Sequence, residues 1–252
     1  MSSLLLSDRL VSKDWHVRLD ALEELIRLFH DLPKSSPEFT RYGPLMARIV
    51  DDQYPPVKER ALESLLLFID KASSALLPFS SDISYTLITK CSVSSRDTTK
   101  ARANDALLLL IQEGALDSVL TELCKSVLTQ RLSRPAACAL EVLRAAVKQY
   151  GIPPINADTM LKIVEAGFEH NSQEVRTEAM FLATEMHRWI GSESMRPLIM
   201  KIRSSQASEL EAAIAATQVA QPDQLDPEVR VRKQLRTPCV LNPGNTTARE
   251  AQ

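Results

Sequence analysis

Glycine is scarce: six residues in 252 leave few places where the chain can turn with positive φ. Aromatic residues make up only 5%, and runs of Val, Ile and Thr are rare. Hairpin-rich sheets need both, so their scarcity argues against a β fold. No apolar run approaches the roughly 20 residues of a membrane span. The opening MSSLLLSDRL has only three consecutive leucines before Asp8 and Arg9, which is not the pattern of a signal peptide. The net charge is only −2 and the pI about 6.1, which offers no global case for nucleic acid. None of Cys91, Cys124, Cys138 and Cys239 forms a CxxC. The first three fall in helical patterns, where a reduced, buried, small-hydrophobe role is the default, and this suits a reducing compartment. The common catalytic signatures GxxxxGK[ST], GxSxG and HExxH are missing as well. His16, His30, His170 and His187 are scattered and read as surface or helix-end residues, and the carboxylates spread over solvated helix faces. The expectation is a protein that is not an enzyme and holds no cofactor or metal.

What is present is helix, repeatedly. Leu and Ala dominate periodic segments of roughly 12–18 residues. Short breaks separate them, at 31–39, 51–57, 92–97, 133–135, 150–158 and 170–175. About twelve segments emerge, and they pair into six hairpins. The second helices share a frame: Val17-Arg18-x-x-Ala21, Val57-Lys58-x-x-Ala61, Thr99-Lys100-x-x-Ala103, Ser133-Arg134-x-x-Ala137 and Val175-Arg176-x-x-Ala179. Their basic residues are spaced by 40, 42, 34 and 42 positions, the interval of HEAT-type repeats. A lone hairpin cannot bury its apolar face, so neighbours stack into an α-solenoid with one continuous core. The predicted fold class is therefore all-α. A sixth unit, Ser208-Glu209-x-x-Ala212, keeps the frame with an acid in place of the base and predicts a capping box from Ser208 to Glu211. The pattern stops after about Thr217. Residues 218–252 read as a linker or tail with a basic cluster at Arg230, Arg232, Lys233 and Arg236, suggesting a piece of a longer protein.

In a regular stack, equivalent residues of successive repeats line up along one edge. With packed helices roughly 8–10 Å apart, Arg18 to Arg176 would form a row about 40 Å long. Each cation sits in the first turn of its helix, where the macrodipole favours acids instead. One explanation is a structural ladder in which each cation pairs with an acid of a preceding turn, Asp51 or Asp52 serving Lys58. The other is a binding edge. Trp15 favours the edge: it follows an N-cap, Asp14, and lies ahead of the apolar face of Leu22, Leu25, Ile26 and Phe29. An aromatic beside arginines is the composition of an interface hot spot. The alternative for Trp15 is end-capping of the first repeat's core.

The stretch SDRLVSKDWHVRLDALEEL resembles the opening of a TOG domain, the tubulin-binding module of the microtubule polymerase family. VKERALESLLLFID, LITKCSVSSRDTTKARANDALLLL, RPAACALEVL and HNSQEVRTEAMFLATEMHRWIG continue the resemblance over residues 1–217 in order and spacing. It implies a flat paddle of six HEAT repeats whose turns, along one narrow edge, bind the curved αβ-tubulin heterodimer. By position, Trp15 resembles the family's tryptophan that docks on β-tubulin, and Arg176 its arginine that contacts α-tubulin. Arg18 belongs to the first turn, Val57 and Lys58 to the second, Arg96, Lys100 and Arg102 to the third, and Arg134 to the fourth. QYPP at 53–56 departs from the pattern and brings Tyr54 into the second turn.

The start near the chain's N-terminus resembles the first TOG of a polymerase more than a domain of the cytoplasmic-linker-associated family, which shares the fold. The resemblance further implies a monomeric domain that acts at microtubule ends, the spindle and organising centres in the cytoplasm, with no nucleic-acid or membrane partner. The rival reading is a HEAT scaffold or adaptor that binds through its helical face and not through its turns.

Overall fold

The computed structural model of the protein describes residues 5–129, 132–151 and 157–216. All regular elements among them are helical, with no strand. Helix α1 (Leu6–Arg9), a single turn, pairs with α2 (Trp15–Asp31), and α3 (Phe39–Val50) pairs with α4 (Pro55–Ala72). A 3₁₀ segment, Ser73–Phe79, leads to α5 (Ser80–Thr86), which runs on through a π turn at Leu87–Cys91 and pairs with α6 (Asp97–Gln112). Helix α7 (Leu116–Leu128) pairs with α8 (Ser133–Tyr150). Helix α9 (Ala157–Glu169) pairs with the first half of α10 (Gln173–Lys201), and the second half of α10 pairs with α11 (Ser204–Ala216). Gly191 divides α10, because its φ of 74° and ψ of 174° are non-helical and suit a residue without a Cβ.

The pairs stack in register. Helices α2, α4, α6, α8 and α10 succeed one another in one layer, and α3, α5, α7 and α9 in the other. Because every pair enters the stack the same way round, the turns inside the hairpins share one edge. The repeated alanines of the frame, Ala21, Ala61, Ala103, Ala137 and Ala179, are all buried. Small side chains there let adjacent helices approach, and larger ones would force strain into a close-packed core. Gly43 shows the same constraint between elements: a Cβ on it would lie 2.1 Å from the Phe79 ring. In the core of the first two repeats Phe29, Phe39, Tyr42 and Phe68 pack with ring centroids 5.2–6.0 Å apart.

Two sequence expectations fail here. The capping box at Ser208 does not form, because α11 begins at Ser204 and Ser208 lies inside it. Gln206 Oε1 instead accepts the Arg203 N–H at 3.3 Å, and the buried residue of this helix is Leu210, while Ala212 of the frame is exposed. The surface alternative for His187 also fails: it lies at the helix end before the bend at Gly191 but is buried, with Nε2 3.0 Å from Ser192 Oγ across that bend. The cysteine reading fares better. Cys91 and Cys138 are free and buried, and burial pushes both thiols up to about 11. Cys124 is half-buried. The tail, its basic cluster and Cys239 lie outside the described residues.

Candidate functional site

The edge is built from the turns that lead into α2, α4, α6, α8 and α10. In the four of them whose corresponding residue is described, the same local bond closes the turn. The residue two before the N-cap accepts the N-cap's own N–H: Ser12 Oγ from Asp14 (3.2 Å), Asp52 Oδ1 from Tyr54 (2.8 Å), Ser94 Oγ from Arg96 (3.2 Å) and His170 Nδ1 from Ser172 (3.0 Å). Such side-chain acceptors are the ordinary chemistry of Asx and Ser turns. Only α2, among these five helices, also has a side-chain cap, Asp14 accepting the His16 N–H at 2.9 Å. That bond, then the His16 ring, holds the exposed Asp14 carboxyl below the ordinary carboxylate range. The other N-caps include Tyr54, Arg96 and Leu132, none of which can cap a helix, and all three are exposed.

Trp15 is the first residue of α2. It is half-buried, one side packed against the core, and so less exposed than a free-standing anchor. Its ring stacks on His16 (centroids 3.7 Å apart, 27° between planes) and on Tyr54 of the next repeat (5.7 Å, 14°). Tyr54 is 47% exposed. The first two turns thus present one aromatic surface.

Arg18 lies behind it. Its Nε and Nη2 donate to Asp52 Oδ2 (2.6 Å) and Oδ1 (3.0 Å), and Nη1 donates to the carbonyls of Ser12 (2.8 Å) and Lys13 (3.1 Å). Both partners of the ion pair are largely buried, with side chains 14% and 7% exposed. Arg18 is therefore a ladder residue, and Asp52 serves it and not Lys58. The pairing raises the Arg18 pKa further above its ordinary value. Arg176 repeats half of this arrangement in the fifth turn. Its Nη1 donates to the carbonyls of His170 and Asn171, both at 2.8 Å, and Nη2 donates to Gln173 Oε1. In both repeats one guanidinium clamps the carbonyls five and six residues upstream.

The remaining candidates divide. Lys100 pairs with Glu141 (2.7 Å), which raises its pKa, and Arg102 pairs with Glu59 (3.0 Å), so both tie one repeat to the next. Lys58, Arg96 and Arg134 have no ion pair among the described residues. Lys58, like Arg18, Lys100 and Arg176, is the fourth residue of its helix, whereas Arg134 is the second. Val57 is 1% exposed and belongs to the core, so it drops out of the candidate set. Sequence reasoning gave Asp52 the wrong partner and missed Leu132. Asp52 stands in the ladder as expected of an acid there, but with Arg18 in place of Lys58 and with the Tyr54 N–H as a further donor. Leu132, 66% exposed, was visible as a leucine in a cap position that prefers Ser, Thr, Asp or Asn.

Residues 1–214 match the family described as XMAP215/Dis1/CLASP, TOG domain. Among curated relatives, Protein MOR1 of Arabidopsis thaliana is 30% identical over 211 residues, which cover 82% of this chain and 10% of that protein. Protein mini spindles of Drosophila melanogaster is 26% identical over 205 residues, covering 81% and 10%. The chain thus spans about a tenth of the length of these relatives. A solved structure from work on tubulin recruitment by microtubule polymerases with TOG domain arrays superposes with a TM-score of 0.78 at 23% identity, covering 96% of this chain and 52% of that one. The third TOG of Drosophila melanogaster Mini spindles superposes with a TM-score of 0.75 at 15% identity, covering 88% and 96%. At these identities the structural likeness is one of fold.

Proposed function

This chain belongs to the XMAP215/Dis1/CLASP TOG-domain family, and from that premise we propose that it is a tubulin-binding module that captures the curved αβ-tubulin heterodimer through its turn edge. The observation that carries this reading is the Trp15–Tyr54 surface, continued along the same edge by Lys58, Arg96, Leu132 and Arg134. An aromatic pair desolvates well and loses little side-chain freedom on docking. The cations without an ion pair face an acidic partner; they steer encounter and set register more than they set final affinity. The paired residues Arg18, Lys100 and Arg102 hold the repeats in line, and Arg176 holds the fifth turn while keeping its charge at the edge. The module binds and does not catalyse. Several such modules on one chain would raise the local concentration of tubulin and deliver it to growing microtubule ends at the spindle and in the cytoplasm. In this reading residues 1–217 form the module and residues 218–252 serve as a linker or tail.

The test is size-exclusion chromatography with purified αβ-tubulin. The domain is expected to co-elute with tubulin as one domain per heterodimer, and Trp15→Ala to elute apart from it. Separate elution of the wild-type domain, folded by circular dichroism, would refute the proposal.

A further inference from the structure

Asp52 is the point where the first two turns of the edge are joined. Its Oδ2 accepts Arg18 Nε at 2.6 Å, and its Oδ1 accepts both Arg18 Nη2 (3.0 Å) and the backbone N–H of Tyr54 (2.8 Å). Arg18 in turn fixes the backbone just before Trp15 through the carbonyls of Ser12 and Lys13, and its guanidinium carbon lies 5.7 Å from the centre of the Tyr54 ring. Every bond of the carboxylate thus bears on the placement of Trp15 or of Tyr54. The two rings come from different repeats, and nothing in the local helix chemistry of either repeat sets their 5.7 Å spacing. With its side chain 7% exposed, Asp52 presents little surface to a partner.

We propose that Asp52 is a positioning residue for partner binding: it holds Trp15 and Tyr54 as one preformed two-ring platform that docks as a unit. This rests on the tubulin-binding reading given above. An aromatic pair already ordered in the free domain loses little freedom on docking, whereas freed rings must be ordered at the moment of contact.

The experiment compares wild type with Asp52→Ala, Asp52→Asn and a control, Val164→Ala, which loosens the buried core of α9 far from this carboxylate. All are measured well below their melting temperatures. The first readout needs no partner: acrylamide quenching of Trp15 fluorescence, isolated by subtracting the matching Trp15→Ala variant. Quenching should rise in Asp52→Ala, rise less in Asp52→Asn, which keeps an acceptor for the Tyr54 N–H, and stay unchanged in Val164→Ala. The second readout is tubulin affinity, expected to fall about tenfold in Asp52→Ala as two freed side chains must be reordered, and not to fall in Val164→Ala. Unchanged quenching in Asp52→Ala would overturn the positioning role. Raised quenching with unchanged affinity would overturn its part in binding. A control that loses affinity equally would reduce Asp52 to general stability. If wild type itself does not bind tubulin, the underlying reading fails, and the quenching result then separates that failure from a failure of the geometry.

Discussion

Trp15 packs on the core and is proposed to dock on a partner, and the two roles differ in size. It is half-buried against the core, so Trp15→Ala should cost the fold only about 1 kcal/mol, within the common range for substitutions away from the deep interior. At a docked interface the same truncation typically costs about 2–4 kcal/mol, roughly thirtyfold or more in affinity. Thermal melting and tubulin titration of one variant separate these outcomes, and a large melting loss with affinity intact would assign Trp15 to the core. Arg176 poses a different question, since its charge and its fork act together. Arg176→Lys keeps the charge but cannot span the carbonyls of His170 and Asn171 in the same fixed geometry. It is expected to weaken tubulin binding several-fold at constant net charge, and unchanged affinity would show that charge alone suffices there. The buried thiols predict a pH effect. An ordinary thiol titrates near 9, and Cys91 and Cys138 are pushed up to about 11 because burial disfavours the thiolate. Their contribution to stability is complete below pH 9 and is lost as pH rises from there through about 11. Melting temperature should therefore fall more steeply over that window in wild type than in a Cys91→Ala/Cys138→Ala variant.

At the scale of an element, the entries to α4, α6 and α10 reveal a trade. Turns closed from two residues upstream do not depend on the N-cap side chain, which is left for other work. The entry to α8 follows residues outside the described ones, and there Leu132 is exposed and supplies no side-chain cap. Leu132→Asn should add a cap worth about 1 kcal/mol, raising the melting temperature by about 2–4 °C in a domain of this size. The same substitution should lower tubulin affinity, because it removes apolar contact area from the edge. Stability and binding moving in opposite directions would be the signature. A gain in stability with no loss of affinity would leave Leu132 outside the interface. The helix frame itself was legible in the sequence because alanine at a fixed offset is what close helix packing demands. The sixth unit misled because Ser208 and Glu211 have the right spacing for a capping box, yet the chain had already entered α11 at Ser204. Spacing alone does not say where a helix begins.

At the scale of the whole molecule, electrostatics should show in kinetics. The net charge is only −2, so any attraction to an acidic partner comes from how cations are placed and not from their excess. Lys58, Arg96 and Arg134 carry no ion pair among the described residues. The Debye length shrinks from about 10 Å at 0.1 M salt to about 3 Å at 1 M, so the association rate with tubulin should fall steeply over that range. Stopped-flow measurements across a salt series would check this, and a rate independent of salt would confine these cations to structure. Their charge-neutral variants should flatten the dependence, while the same change at Lys100, already paired with Glu141, should flatten it less.

The sequence by itself determined the class of fold, the count of repeats and the edge along which the repeat turns line up. Those follow from periodicity: a 3.6-residue pattern, a repeat near 40 residues and an alanine at one position of each unit are local facts that stacking then repeats. It also placed Trp15, Tyr54, Arg96 and Arg134 at the turns that lead into the second helices, since a residue at the start of a second helix has nowhere else to be. What only the tertiary structure decided was which members of the cation row are engaged. Arg18, Lys100 and Arg102 find acids 34, 41 and 43 residues away, and no pattern along the chain marks Asp52, Glu141 or Glu59 as their partners. The burial of Val57 beside an accessible Lys58, and the stacking of Trp15 on a tyrosine from the next repeat, have the same origin. Pairing between repeats depends on how far each helix rotates about its axis as it packs, and that rotation is set by the summed contacts of the core, not by any one segment.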